Sequence, residues 1–177
     1  MPDDDPKGAK LRATIRREQN CVPDVILSSS RFGVVSGFAS ANALDAVQVP
    51  AGARACRIAS DETAFVCSAD AAADVLDAIA AQIARGDSDG FALDVSDGWT
   101  SFTLSGDVER AFSYLSELQL PGPGAFVQGD VLRVPVRVLT EENQIDLLVP
   151  SPWGTYLHDE MLDALRTLNV QDDSETA

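Results

Sequence analysis

Residues 94–106 read DVSDGWTSFTLSG, 107–121 DVERAFSYLSELQLP, 130–152 DVLRVPVRVLTEENQIDLLVPSP and 153–168 WGTYLHDEMLDALRTL. In coarse form this is strand, helix, strand, strand, helix. Residues 28–83 state the same order earlier, as SSSRFGVVSG, FASANALDAVQVP, ARACRIASDETAFVCS and ADAAADVLDAIAAQI. Ser36-Gly37 falls where Ser105-Gly106 falls, and Gln48-Val49-Pro50 falls where Gln119-Leu120-Pro121 falls. A fixed order of elements stated twice is the mark of internal repetition. The expected fold is therefore α+β, two β-α-β-β-α units related by pseudo-twofold symmetry. A single duplicated domain is expected over residues 24–170, with units at 24–86 and 91–170.

Within the second unit, Phe102 and Leu104 alternate with Ser101, Thr103 and Ser105, the two-residue period of a strand with one apolar face. Val108, Ala111, Phe112, Leu115 and Leu118 recur at helical spacing. Pro121-Gly122-Pro123-Gly124 breaks both periodicities and predicts a turn. The β-branched stretches 131–139 and 145–149 predict two strands joined at Thr140-Glu141-Glu142-Asn143. Ser151-Pro152 predicts a helix start, with Leu157, Met161, Leu165 and Leu168 as the buried stripe.

The first unit repeats this with smaller side chains. A strand is expected at 31–36 and a helix at 38–47. Two strands follow near 54–59 and 63–68, about a turn at Ser60-Asp61-Glu62. The helix at 70–84 buries Ala72, Val75, Leu76, Ile79 and Ile83 behind a Ser68 N-cap. The polar run ending at Gly90 is expected to join the units.

Outside this body, residues 1–23 form a polar arm holding Lys7, Lys10, Arg12, Arg16 and Arg17, five of the chain's 13 basic residues. It reads either as a mobile tail or as an arm that docks on an acidic partner surface. Residues 171–177 are expected to be a disordered tail.

The chain carries 28 acidic residues against those 13, a net charge of −15. Such a surface argues against nucleic acid and against anionic membranes, both of which require basic surface. It also suits the solvated surface of a protein working in high salt. Cys21, Cys56 and Cys67 make no CxxC pair, so buried free thiols are expected. The opening MPDDDPKGAK lacks the apolar run of a signal peptide, and the expected location is cytoplasmic.

Catalytic constellations are scarce. His158 is the one histidine. It has no second His or Cys pair at zinc spacing, and no Ser or Cys motif matches it as a general base. Asp61-Glu62 and Glu141-Glu142 sit at equivalent hairpin tips and read as solvated turns. Trp99 and Trp153 lie near element ends, where indoles pack half exposed or anchor interfaces.

The order of several soft motifs carries a family resemblance over residues 50–168. DVSDGWTSFTLSG resembles a segment of the folate-binding domain of glycine-cleavage aminomethyltransferases and of the small gamma subunit of heterotetrameric sarcosine oxidase. ENQIDLLVPSPWGTYLHDEMLDAL resembles the gamma-subunit pattern of a polar turn, an apolar "ELLVP" strand and a helix. SDETAFVCSADAAADVLDAI resembles its "DEWLL" strand and following helix. The resemblance implies a folate-binding aminomethyltransferase-like domain and a role in oxidative demethylation of N-methylated amines. It implies an accessory, non-catalytic gamma-like subunit of a sarcosine oxidase or dimethylamine monooxygenase type of complex. Larger flavoprotein subunits would be the partners of a hetero-oligomer, and flavin would sit only in them. Tetrahydrofolate is the cofactor implied for the domain itself. The pterin-binding glutamate of the family's "GFEL" aligns with Asp146 in QIDLL, which keeps the charge on a shorter side chain. Two features depart from the enzymes. The carboxylate-rich strand has no counterpart between Ala53 and Ser68, and the C-terminal domain that completes the folate pocket has none in this chain. Two other readings stay open: a self-standing tetrahydrofolate-dependent one-carbon transfer protein, and a non-catalytic binding module.

Overall fold

The hairpin at residues 54–68 shows how the sequence builds this molecule. Thr63–Cys67 is an unbroken buried run on one arm and Cys56 is buried on the other, and the polar turn leaves the strands free to pair antiparallel, with Arg54 opposite Val66 and Cys56 opposite Ala64. The computed structural model describes residues 12–14 and 25–175, and side chains over 25–168. Its elements in chain order are β1 (Arg12–Thr14), β2 (Ile26–Ser30), β3 (Phe32–Phe38), α1 (Ala41–Asp45), β4 (Arg54–Ala59), β5 (Glu62–Ser68), α2 (Ala72–Gly86), β6 (Phe91–Asp94), β7 (Trp99–Ser105), α3 (Val108–Leu115), β8 (Phe126–Val131), β9 (Val134–Thr140), β10 (Gln144–Pro150) and α4 (Gly154–Glu175). Short 3-10 turns precede α2, β7 and α4. Among the described residues this is a mixed α/β fold with two sheets, whose pairings are antiparallel wherever registers are defined, and four α-helices.

Two compact units divide the chain, one holding residues 31–100 and the other holding residue 101 onward together with the residues before 31. In the first, the sheet order is β4-β5-β3-β6. Its core gathers Val35, Phe65 and Cys67 from the sheet and Ala72, Val75, Ile79 and Ile83 from α2. That helix buries the expected stripe except Leu76, which is only partly covered. The sheet approaches the helix closely. A Cβ at Gly33 would lie 2.7 Å from the Ala72 Cβ, so only glycine fits there.

In the second unit the order is β1-β2-β7-β10-β9-β8. Leu27, Phe102, Leu104, Val136, Val138, Ile145, Leu147 and Val149 form the inner face of this sheet, and Phe112, Leu115, Leu157, Met161 and Leu165 of α3 and α4 share their cluster. Asp107 caps α3, its side chain accepting a bond from the Arg110 N–H at 3.4 Å. In both sheets the strand that leads into the first helix is neighboured by the second strand of the later hairpin, β3 by β5 and β7 by β10.

Several elements differ from expectation. The first helix spans only Ala41–Asp45, because β3 continues through Gly37 to Phe38. The paired Ser-Gly steps therefore serve different ends. Gly37 is a strand residue against Ile83, whereas Gly106 takes a positive φ of 100° between β7 and α3. The strand expected at 131–139 begins at Val134, and Phe126–Val131 forms a further strand that folds back on it at Leu132-Arg133. Residues 91–94, expected beyond a linker, form a strand on β3. Strand β2 pairs with β7, so it belongs with residues 101–175. Ser68 and Ser151 stand where helix starts were expected, but each opens onto a 3-10 turn and Ser68 makes no side-chain capping bond. Of the basic arm, Arg12–Thr14 pairs with Ile26–Ser28 and the rest lies outside the described residues. Helix α4 extends to Glu175 and so takes in most of the segment expected as a tail. No helix among the described residues is long and apolar enough to cross a membrane.

Candidate functional site

Strand β10 sets the orientation of Asp146. Ile145, Leu147 and Val149 enter the core, which turns Asp146 and Leu148 to the opposite face. That face is also covered: Asp146 is 6% exposed and Leu148 is fully buried. A carboxylate away from water needs donors, since an unsatisfied charge there is costly. Thr103 on β7 supplies one, its Oγ1 donating to Asp146 Oδ1 at 2.6 Å. Gln144 Nε2 donates to Oδ2 at 3.4 Å. Ser28 stands opposite Thr103 in the β2–β7 register. A polar row thus runs across three inner strands, Ser28, Thr103 and Asp146. Ser101, two residues before Thr103 on the same face, donates to the Ser30 carbonyl at 2.7 Å. The alternation of β10 was legible in the sequence, but the Thr103 partner was not, because it comes from a strand 43 positions away.

A second location is an open cleft of about 440 Å³ between the end of α3 and the β8–β9 turn, lined by Tyr114, Ser116, Glu117, Asp130 and Arg133 among others. The turn residues Leu132 and Arg133 both adopt positive φ, 48° and 68°. Two consecutive left-handed residues make the two-residue hairpin turn that matches strand twist, usually with Asn or Gly. Here the Leu132 N–H donates to the Leu115 carbonyl at 3.1 Å, satisfying a helix-end acceptor. Ser116 Oγ donates to the Asp130 carbonyl at 2.7 Å and accepts from the Leu118 N–H at 3.1 Å. The cleft mixes two carboxylates, a phenol and a guanidinium on an exposed rim, which suits weak polar contacts more than bond-making chemistry. Asp146 does not line it.

The remaining candidates disperse. His158 lies with its ring centroid 5.6 Å from that of Phe102 and its Nδ1 3.1 Å from Asp159 Oδ1. Among the described residues no group of three or more His, Cys, Asp or Glu side chains is placed to hold a metal. Among the described residues neither Cys56 nor Cys67 forms a disulfide, and both are buried. Burial, and then the charge of Asp94, push the Cys67 thiol above its ordinary value, so the nucleophilic thiolate is disfavoured. Its Sγ donates to the Gly33 carbonyl at 3.7 Å. Cys21 lies outside the described residues. Glu62 accepts a 3.3 Å bond from Ser36 Oγ, while Asp61, Glu141 and Glu142 are exposed. Trp153 is exposed and meets Tyr156 edge-on with centroids 6.0 Å apart, whereas Trp99 is half-buried.

No family model matches the chain, and no curated protein matches it. Solved structures do. The chain is similar to one in the heterotetrameric sarcosine oxidase from Corynebacterium sp. U-96 in complex with pyrrole 2-carboxylate. The TM-score is 0.69 at 16% identity, covering 81% of this chain and 85% of that one. The regulatory subunit of aspartate kinase from Thermus thermophilus aligns at a TM-score of 0.46 and 12% identity, covering 79% and 96%. The first likeness shows a sarcosine-oxidase-like fold, and the second is too loose to bear on function.

Proposed function

We propose that this chain is an accessory, gamma-like subunit of a hetero-oligomeric oxidoreductase that demethylates N-methylated amines, of the sarcosine oxidase or dimethylamine monooxygenase type. The observation that carries this reading is the extent of the likeness. It covers 85% of a chain from a heterotetrameric enzyme, so it spans nearly a whole component of a complex and is not confined to one domain of a larger polypeptide. In this reading the larger partner subunits hold flavin and oxidise the N-methyl group, and this chain contributes surface and architecture. The two units would be copies of one ancestral pattern, which the shared placement of β3 beside β5 and β7 beside β10 supports.

The test is isolation of the native assembly through a tag on this chain, followed by native mass spectrometry. Recovery with larger flavin-bearing chains and N-methylamine-dependent oxidation supports the proposal. A chain that is recovered alone from cells producing such an oxidase overturns it.

A second reading gives this chain its own tetrahydrofolate site at Asp146. It is favoured by a buried carboxylate on an inner strand that accepts bonds from the Thr103 hydroxyl and the Gln144 amide. Charge-assisted bonds from pterin N–H groups contribute about 1.5–3 kcal/mol each. Titrating tetrahydrofolate into wild type and Asp146→Ala decides it. Measurable affinity lost in the variant supports the site, and equal affinity in both removes Asp146 from it.

A further inference from the structure

The two edges of the four-stranded sheet are guarded unequally. At one edge β4 carries Arg54 and Arg57, and its pairing with β5 shifts register between Arg57 and Ala59. Charges and bulges are the usual means of preventing edge-to-edge association. At the other edge β6 pairs with β3 alone among the described residues. It has no bulge and no basic residue. Phe91 and Leu93, two apart and therefore on one face, are 51% and 49% exposed. Phe38 extends the patch, its ring stacked on Phe91 with centroids 5.1 Å apart.

Charge frames this edge. Residues 86–100 contain Asp87, Asp89, Asp94 and Asp97 and no lysine or arginine. Two of these carboxylates are held in place at the strand's ends. Asp87 Oδ2 accepts from the Ser40 N–H at 2.7 Å, and Asp94 Oδ1 accepts from the Ser96 N–H at 2.9 Å and from its hydroxyl. An apolar edge with anionic ends repels a second copy of itself, because pairing two β6 strands would bring carboxylates together. It is complementary to an extended segment with apolar side chains at alternate positions and lysine or arginine on both flanks.

We infer that β6 is a docking edge at which a partner polypeptide with basic flanks adds a strand to the sheet, its apolar side chains covering Phe91 and Leu93. The inference does not depend on the oxidoreductase reading, since it rests on the edge alone.

The probe is the synthetic peptide Lys-Lys-Val-Thr-Val-Phe-Val-Thr-Lys-Lys, titrated into the full chain by fluorescence anisotropy with hydrogen exchange followed at residues 91–95. The expected result is saturable binding, protection of those amides, and at least tenfold weaker binding when the peptide lysines become glutamates. Phe91→Thr with Leu93→Thr, both exposed positions that keep strand propensity, should weaken binding by a similar factor. Should that variant fail to fold, a peptide with proline at its central position, which removes a ladder N–H, serves the same purpose. Lack of saturable binding, indifference to charge reversal, or protection of residues 91–95 by self-association of the chain would each overturn the inference.

Discussion

Strand β3 presents Gly33, Val35 and Gly37 to its helix, whereas β7 presents Phe102 and Leu104 to the core it shares with α3 and α4. The strand that leads into the first helix of each unit is thus packed differently. In residues 31–100 the helix comes close to the backbone, and contact is made by Ala72, Ile79 and Ile83 over glycines. In the other unit, large side chains of β7, α3 and α4 share one cluster. The comparison teaches that the size of two or three facing residues decides how a strand packs on its helix layer.

The largest effect should come from the core of large side chains. Leu157 is fully buried among large neighbours, and Leu157→Ala should cost about 2–5 kcal/mol through lost burial and a residual cavity. Denaturant unfolding checks it, with the midpoint falling while the slope is unchanged. Enlarging a side chain should matter most in the close-packed unit. At Gly33 a Cβ would sit 2.7 Å from the Ala72 Cβ and 3.1 Å from the Ser68 carbonyl oxygen, neither of which is a flexible end. Gly33→Val should therefore cost about 1–3 kcal/mol by overpacking, read in the same experiment. Gly37→Val should cost less. Its closest neighbour is the terminal Ile83 Cδ1 at 2.8 Å, which can turn aside.

The smallest effect concerns acid. The Ser96 hydroxyl and then its N–H hold the Asp94 carboxyl below its ordinary value. A lowered folded value means that the contribution is complete above the unfolded carboxylate value of about 3.9 and is lost as pH falls through the lower folded one. Asp94→Asn should make stability decline less steeply below about pH 4 than it does in wild type. Unfolding midpoints measured across that range would show it, and identical slopes would remove Asp94 from the acid response.

Elements with long, regular apolar spacing were legible in the sequence: α2, α3, α4 and the strands around the 54–68 hairpin. So was the facing of β10, which turned Asp146 away from the core. Those missed share a physical reason. The turn at Leu132-Arg133 contains neither glycine nor asparagine, so nothing local signals that 126–140 folds back on itself. Strand β6 is four residues long, with a β-neighbour rather than a pattern of its own to define it. Strand β2 reads ILSSS, and only Leu27 enters a core. The Thr103 bond to Asp146 and the covered second face of β10 are tertiary facts, invisible to any local window.

The position of β2 in the chain has a consequence for biosynthesis. Ser30 is the cross-strand partner of Ser101, a separation of 71 residues (101 − 30) filled by the other unit. On a ribosome adding about 5–20 residues per second, β2 waits roughly 4–14 s after emerging before β7 follows it. Over that interval residues 31–100 have all their own strands and α2 available and can assemble. The nascent β2 meanwhile has a serine-rich face and one buried leucine to offer, a composition poorly suited to mispairing. Apart from its short pairing with β1, the strand therefore stays uncommitted until β7 has been made.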